Sequence, residues 1–243
     1  MAVQDTLPDP NYGRRFDGST SSPATTGPGF AQVKLTNDQR VLTSRTNSQR
    51  VLARAIVGQK WKIDINYNPM TQAEFAPVYA FLLAKQGPMN SFFVSLPQYR
   101  TVQNSAWETV LSTENNVISV AGAVTAGKSE IIIDSANPTT IGADSKYPMP
   151  GELFTFTDSA DATHKKAYMI TTVEHADGHQ GSQPSSDTIR INFSPPLAKN
   201  VANDAVVNFS DPLVKVIMPQ PLSTYTLNKD NLYSFSLKLE EYL

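Results

Sequence analysis

Few residues of this 243-residue chain could do chemistry, and cysteine is absent. The three histidines are His164, His175 and His179. The last two are four residues apart, a spacing that on a helix could hold a metal ion. The surrounding sequence VEHADGHQGSQPSS instead predicts the end of a strand and a Gly-rich loop. We therefore expect solvated loop histidines and no metal site.

The carboxylates give no better candidate for acid–base catalysis. Glu240 and Glu241 lie on a predicted strand, where neighbouring side chains point to opposite faces. Asp158, Asp161 and Asp177 lie in polar loops. The DSADAT loop at 158–163 could attract calcium, but it does not meet the EF-hand pattern. We predict a protein that is not an enzyme, with no catalytic residue, cofactor or metal.

A literal phosphate-loop pattern occurs between Gly122 and Ser129, where four residues separate Gly122 from Gly127-Lys128-Ser129. A true phosphate loop follows a buried strand and opens a helix, whose N-terminus completes the anion site. Here EIIID follows, a β-branched run typical of a strand. The pattern is interpreted as a chance match.

Basic residues are concentrated between positions 40 and 62. They could contact nucleic acid phosphates. They could equally be strand side chains that face solvent or an acidic neighbour, and no aromatic interleaving indicates a single-strand groove. The residues are Arg40, Arg45, Arg50, Arg54, Lys60 and Lys62.

The overall composition excludes several classes of protein. The formal charge is −2 and charged residues make up only 17% of the chain, so no global field favours nucleic acid or an anionic membrane. No apolar run is long enough for a membrane-spanning helix. The N-terminal sequence lacks the apolar core of a signal peptide, so we expect synthesis in a cytoplasm and no membrane insertion.

Residues 60–97 contain the clearest local pattern. Trp61, Ile63, Ile65 and Tyr67 alternate with polar residues and predict a half-buried strand. The T-x-x-E sequence at 71–74 predicts a helix capping box.

The helix that follows has an apolar face at the spacing of an amphipathic helix and ends before Gly87-Pro88. Pro77 lies inside a helix that starts at the capping box, so either the helix kinks there or its regular part begins near Ala76 with Pro77 in its first turn. We expect the second. The apolar face consists of Phe75, Val78, Tyr79, Leu82 and Leu83.

The remaining chain predicts a mainly β protein with this one principal helix. Residues 1–30 are rich in Pro, Gly, Ser and Thr and predict an extended arm, which is either a loose tail or a segment that orders on a neighbouring subunit. Residues 112–210 contain short, regularly spaced strands, which predict a small β-sandwich or barrel. The C-terminal alternation at 233–240 needs a sheet to join, and the strand at 61–67 is its expected neighbour. Residues 31–111 with 211–243 are thus a host domain, and 112–210 an insertion; Trp107–Leu111 is predicted as a further strand.

The sequence resembles minor tail and baseplate proteins of tailed bacteriophages over roughly residues 40–243. In the host region the matching positions are Ser44-Arg45-Thr46, Ser48, Arg50, Trp61-Lys62-Ile63, Pro69-Met70-Thr71, Ala73-Glu74, Ala76-Pro77-Val78, Ala80-Phe81-Leu82 and Gly87. In the insertion and at the end they are Gly122–Gly127, Pro150–Phe154, Lys166–Thr171, Ile191–Leu197 and 232–241.

The resemblance implies a tail-tube-like β-sandwich or split barrel with one helix packed on it. Such domains form six-fold rings stacked along the tail axis, so the expected function is a non-catalytic virion component. The ring, a hexamer, would link the tail tube to baseplate hub or fibre proteins at the distal tail and make passing contact with DNA in its lumen. Assembly would take place in the cytoplasm of the host bacterium.

Two alternatives stay open at this stage. One is a tail-terminator or neck ring. The other is a carbohydrate-binding module at the tail tip, for which Tyr147, Phe154 and Tyr168 are the available aromatic residues. Strand alternation predicts that Phe154 at least belongs to the core.

Overall fold

The structure is a computed structural model that divides the chain into two compact units, residues 1–94 with 215–243 and residues 95–214. It is mainly β, with two α-helices among the described residues. The described residues are 5–8, 30–55, 58–113, 117–135, 141–142, 144–175, 187–221 and 224–242.

The first unit is built on a five-stranded sheet with the order β1-β4-β15-β12-β5. Two further pairs, β2–β3 and β13–β14, form separate two-stranded sheets. The strands are β1 (Phe30–Asp38), β2 (Val41–Arg45), β3 (Val51–Ala55), β4 (Lys60–Tyr67), β5 (Phe92–Val94), β12 (Val214–Ile217), β13 (Thr226–Leu227), β14 (Tyr233–Ser234) and β15 (Ser236–Glu241).

The C-terminal strand pairs with β4, as its alternation predicted. Leu237 faces Ile65 and Leu239 faces Ile63 in an antiparallel register, and all four side chains are buried. The predicted run is not one strand, because it breaks at Phe235 between β14 and β15. The two residues before the break, Tyr233 and Ser234, pair with β13 instead.

Helix α1 (Gln72–Lys85) begins at Thr71, whose capping box with Glu74 is formed. The Glu74 carboxylate accepts hydrogen bonds from the Thr71 N–H and hydroxyl, both at 2.8 Å. The expectation that the helix starts near Ala76 is wrong, because Pro77 lies inside it. The capping box and the buried Phe75 stabilise the first turn, although Pro77 cannot donate an intrahelical hydrogen bond.

Part of the predicted N-terminal arm is a packed segment. Residues 5–8 run beside β5, where Thr6 forms a parallel bridge with Phe93. The Leu7 N–H donates to the Phe93 carbonyl at 2.8 Å, and the Leu7 side chain is buried. Because these backbone groups extend the sheet, this part of the arm is a structural element of its own unit. The rest of the predicted arm lies outside the described residues.

The second unit is a closed barrel with the strand order β10-β7-β6-β11-β8-β9. This is one of the two architectures that the strand spacing predicted. The strands are β6 (Ile118–Val120), β7 (Glu130–Ser135), β8 (Leu153–Thr157), β9 (Ala167–Glu174), β10 (Thr188–Ser194) and β11 (Val206–Asn208).

A second helix, α2 (Ser105–Thr113), replaces the strand that was predicted at 107–111. Asn104 begins it, since its side chain accepts a hydrogen bond from the Ala106 N–H at 3.0 Å. Trp107 and Val110, three residues apart, are buried in the core of the barrel. The sequence of Trp107–Leu111 is compatible with a strand or a helix. The helix forms because it buries Trp107 and Val110 together in the barrel core.

The predicted division into 1–30, 31–111 with 211–243, and 112–210 remains a proposal about folding domains. The compact units place α2 and the segment before it with the barrel. Burial of Trp107 in the barrel core gives a physical reason to count these residues with the second unit.

Candidate functional site

His164 is a core residue of the barrel unit and not a solvated loop histidine. Its side chain is buried, and its Nε2 lies 2.7 Å from the Tyr168 hydroxyl. That hydroxyl accepts a hydrogen bond from the Ala198 N–H at 3.0 Å, so its own hydrogen can point to Nε2. Burial lowers the pKa of His164, which favours the neutral ring. The arrangement suits structural packing.

The other two histidines form no described pair. His175 stacks on Tyr147 with ring centroids 3.6 Å apart, while His179 and Asp177 lie outside the described residues. In the part of the chain that the structure describes, no three His, Asp or Glu side chains are close enough to share a metal ion.

The two aspartates of the DSADAT loop hold the loop itself. Asp158 is buried and accepts hydrogen bonds from the Ala160 and Ala202 N–H groups at 2.7 and 2.9 Å. The hydrogen bond from Ala202 lowers the pKa of Asp158. The Thr163 hydroxyl and N–H, together with Lys199, lower the pKa of Asp161 to about 2. Both carboxylates are already satisfied by their own loop and its neighbour.

The phosphate-loop pattern leads into a strand and not a helix. β7 begins at Glu130, directly after Ser129. Within the loop, the Gly127 N–H donates to the Leu197 carbonyl at 2.8 Å, so it is not free to bind an anion. The strand predicted after the pattern is confirmed, and these residues lack the helix that a phosphate loop opens.

The terminal carboxylates and the lysines of β4 form structural pairs. Lys60 lies 2.8 Å from Glu240, and Lys62 lies 2.7 Å from Asp38. The hydrogen bond with Lys62 lowers the pKa of Asp38. Glu241 is fully buried and accepts the Trp61 N–H at 3.2 Å. These groups join neighbouring strands.

In the part of the chain that the structure describes, the β2–β3 hairpin of the first unit is exposed at every residue of β2 and at residues 51–54 of β3. Its strands pair only with each other in the described sheets, in register from Val41–Ala55 to Arg45–Val51. The turn is well defined, because the Thr46 N–H donates to the Arg50 carbonyl at 3.0 Å and the Gln49 N–H to the Thr46 carbonyl at 2.9 Å.

Four large apolar side chains of this hairpin are exposed, with between 48% and 61% of their surface accessible. Because successive strand residues point to opposite faces, the two Val-Leu dipeptides make both faces of the hairpin apolar. An isolated two-stranded hairpin is only marginally stable in water, so this element is suited to being covered by a partner. The side chains are Val41, Leu42, Val51 and Leu52.

Arginines flank these apolar side chains. Arg45, Arg50 and Arg54 are exposed, and residues 40–55 contain no acidic residue. Within the described residues, no carboxylate forms an ion pair with any of these three guanidinium groups. A hairpin that is both apolar and positively charged can bind an apolar surface with an acidic rim.

The comparison with known families matches this region. Residues 16–99 match the family described as distal tail protein pb9, A domain, N-terminal part. In this segment the chain is phage distal-tail-like. The match includes the hairpin, β4 and α1, and no curated protein matches the chain.

The family match indicates a structural component of a phage tail that resides in the virion and contacts other tail components. It also points to a non-enzymatic role. In the described residues, no helix is both long and apolar enough to span a membrane.

The four apolar hairpin residues are the functional candidates that the sequence reasoning missed. Arg45 and its basic neighbours are considered above as contacts for nucleic acid, whereas the apolar residues of the same strands are not considered as a contact surface. The signal in the sequence was two pairs of adjacent apolar residues, Val41-Leu42 and Val51-Leu52. In a half-buried strand, apolar and polar residues would alternate.

Proposed function

We propose that this distal-tail-like protein forms a ring, a hexamer, at the distal end of the tail. The ring joins the tail tube to baseplate hub or fibre proteins and acts by assembly without turnover. The observation that carries this proposal is the apolar, arginine-flanked β2–β3 hairpin, which lies inside the segment that matches the distal tail family.

The exposure of the hairpin supports self-assembly. Burial of the hairpin's apolar side chains against a neighbouring subunit would stabilise the assembly by about 25 cal/mol for each Å² of apolar surface removed from water. A contact in which one copy offers a hairpin and the next offers a different surface is heterologous, and such contacts close into rings when the rotation allows.

The barrel unit supports a role outside the ring contact. Only Val117 among the exposed large hydrophobic side chains of the described residues lies within 95–214; the other nine belong to the first unit. A surface without apolar patches suits a decoration that reaches other baseplate parts or a fibre. The arginines of the hairpin are suited to a passing contact with DNA phosphates in the lumen.

The carbohydrate-binding alternative loses its aromatic candidates. Phe154 and Tyr168 are fully buried in the barrel core, and Tyr147 is stacked on His175. The three residues named for a glycan groove therefore do not form an exposed platform, so the tail ring is the function that we retain.

The test is the mass of the full-length protein across concentration, measured by light scattering with and without the tail tube protein. We expect one ring-sized species, six times the monomer mass, on its own or on the tube. The variant Leu42→Ser/Leu52→Ser removes apolar contact area and is expected to stay monomeric while keeping its circular dichroism spectrum.

The matched control is Val117→Ser, which removes a similarly exposed side chain from the barrel unit. It should assemble as the wild-type chain does. A wild-type protein that remains monomeric on its own and on the tube, or a hairpin variant that assembles normally, would contradict the proposal.

A further inference from the structure

Residues 5–8 occupy a built site at the β5 edge of the first unit. The Phe93 N–H donates to the Asp5 carbonyl at 2.6 Å, and the Leu7 N–H donates to the Phe93 carbonyl at 2.8 Å. Thr6 forms a parallel bridge with Phe93 between these two hydrogen bonds. The segment therefore adds to the sheet in the way that a peptide ligand does in β-strand addition.

The site recognises the side chains of the segment as well as its backbone. Leu7 keeps only 2% of its surface accessible. Lys85 of α1 is also buried, and its Nζ lies 3.2 Å from the Asp5 carboxylate and 5.0 Å from the centre of the Phe81 ring. Because a buried ammonium group needs an opposite charge, the site selects an extended segment with an acidic residue two positions before an apolar one.

The ion pair joins an interior group to a surface group. The Lys85 side chain is 6% exposed, whereas that of Asp5 is 66% exposed. The receiving half of the site is supplied by α1 and β5, and the other half reaches it from outside. The site and its occupant are therefore separable, and the same four residues of a second copy carry the chemistry that the site selects.

The chain between residues 5–8 and β1 is longer than docking on the same copy requires. β1 and β5 are the opposite edges of the five-stranded sheet, so four strand spacings, or roughly 19 Å, separate them. About six extended residues cross that distance, whereas residues 9–29 number 21. Fully extended, 21 residues span about 70 Å, which brings β5 of an adjacent copy within reach.

We propose that, in the assembled ring, residues 5–8 of each copy dock at β5 of the adjacent copy, with Asp5 on the Lys85 of that copy. This inference rests on the proposed ring and gives it a contact besides the hairpin. Exchange keeps every contact of the site, because all copies have the same segment and the same receiving groups. Each copy gives one segment and receives one, which is the heterologous pattern that a closed ring repeats.

The absence of cysteine makes a direct test possible. Full-length Thr6→Cys/Phe93→Cys is assembled with the tail tube protein, oxidised mildly and separated on a denaturing gel without reductant. Neighbouring strands lie about 4.8 Å apart, within the Cα separation that a disulfide spans. We expect a ladder of linked chains, with about tenfold more links between chains than within one chain, because the ring holds the adjacent segment at the site.

The matched control is Thr6→Cys/Thr36→Cys. Thr36 is exposed on β1, at the opposite edge of the same sheet, so this pair should give few links of either kind. Links mainly within one chain in the assembled protein overturn the exchange, and so does a ladder that is equally strong in the control.

A second test needs no cysteine and keeps Phe93. Leu7→Ser removes the buried side chain of the segment, so its rings should dissociate on dilution at a concentration about tenfold higher than wild-type rings do. Leu83→Ser, which changes a leucine that is already 52% exposed on α1, should dissociate as the wild type does. Equal dissociation of Leu7→Ser and wild-type rings overturns the exchange.

The same measurements separate this inference from the proposed function. Ring-sized species by light scattering with links only within single chains would overturn the exchange and leave the ring intact. Links between chains that stop at dimers, without any ring-sized species, would support the exchange and contradict the ring.

Discussion

The two units of this chain differ in how completely each buries its own apolar residues. The barrel unit encloses a core of Phe154, Phe156, Tyr168 and its other inward residues, and α2 adds Trp107 to that core. Of the ten exposed large hydrophobic side chains among the described residues, nine belong to the first unit. The described part of the barrel unit thus exposes almost no large apolar side chain, and under the proposed function the exposed ones of the first unit contact neighbouring subunits.

The difference follows from sheet closure. A closed barrel has no free edge, so its strands satisfy their backbone groups within the unit. In the described residues β1 is an edge of the five-stranded sheet of the first unit, while residues 5–8 cover the β5 edge. An edge strand of this kind can pair with a strand of another chain, as the proposed ring would allow.

The largest expected effect is a core truncation in the barrel. Phe154 contacts the rings of Phe156, Tyr168, Phe193 and Phe209 and is fully buried. Phe154→Ala should lower the free energy of unfolding by about 3–5 kcal/mol, through lost transfer energy and the cavity left behind. Chemical denaturation followed by fluorescence measures it.

The matched change in the hairpin, Leu52→Ala, should shift the free energy of unfolding by no more than about 0.5 kcal/mol, as for other exposed sites. Each unit has its own tryptophan, Trp61 in β4 and Trp107 in α2, so Trp61→Phe makes fluorescence report the barrel. If Leu52→Ala lowered the free energy of unfolding as much as Phe154→Ala does, the difference between the two units would be contradicted.

A smaller effect is expected in α1. Pro77→Ala restores an N–H that can donate to the carbonyl four residues earlier, and should stabilise the first unit by about 2 kcal/mol, less than the full cost of an interior proline. Trp107→Phe leaves Trp61 as the reporter of that unit.

The barrel transition, followed with Trp107 alone, is the internal control and should not move. Loss of stability on Pro77→Ala would show that the ring of Pro77 packs favourably enough to outweigh the missing hydrogen bond.

The smallest expected effect is pH dependence confined to the barrel. All three histidines lie within 95–214, and burial lowers the pKa of His164. The unfolded chain therefore binds a proton at His164 before the folded chain does. The stability that the neutral ring provides is present above the unfolded pKa of about 6.5 and is lost as the pH falls through the folded value.

Denaturation at pH 7 and pH 5 checks this expectation with one tryptophan at a time. The barrel should be less stable at pH 5, and His164→Gln should reduce the difference. A wild-type difference retained in His164→Gln would assign the pH dependence to other barrel groups such as Asp158, whose pKa is also lowered in the folded chain. An equal loss in the first unit would show that the pH dependence is not confined to the barrel.

Part of the fold could be predicted because local patterns and tertiary packing agree. The alternation of β4 and of the C-terminal strand specified which faces are buried, and their pairing followed because a terminal strand needs a sheet to join. The second partner of that strand, β12, was not predicted. The capping box at Thr71 and Glu74 marked the start of α1 correctly, and treating Pro77 as a stronger signal than the box gave the wrong start.

The errors occurred where distant contacts decide. Trp107–Leu111 reads equally well as a strand, and only the barrel core makes it a helix. Leu7 lies in a segment of loop-like composition, yet β5 binds its backbone. For His164 no local pattern gave a prediction, and its burial depends on Tyr168 and on the loop at Ala198.

The sequence by itself determined a mainly β chain with one capped helix after β4, because periodicity and capping are local properties. The tertiary structure alone decided that the barrel closes and that, among the described residues, the apolar side chains of the hairpin are exposed. Exposure depends on what the rest of the chain can reach, and an apolar residue in a strand has the same letter whether its partner lies in its own chain or in the next copy.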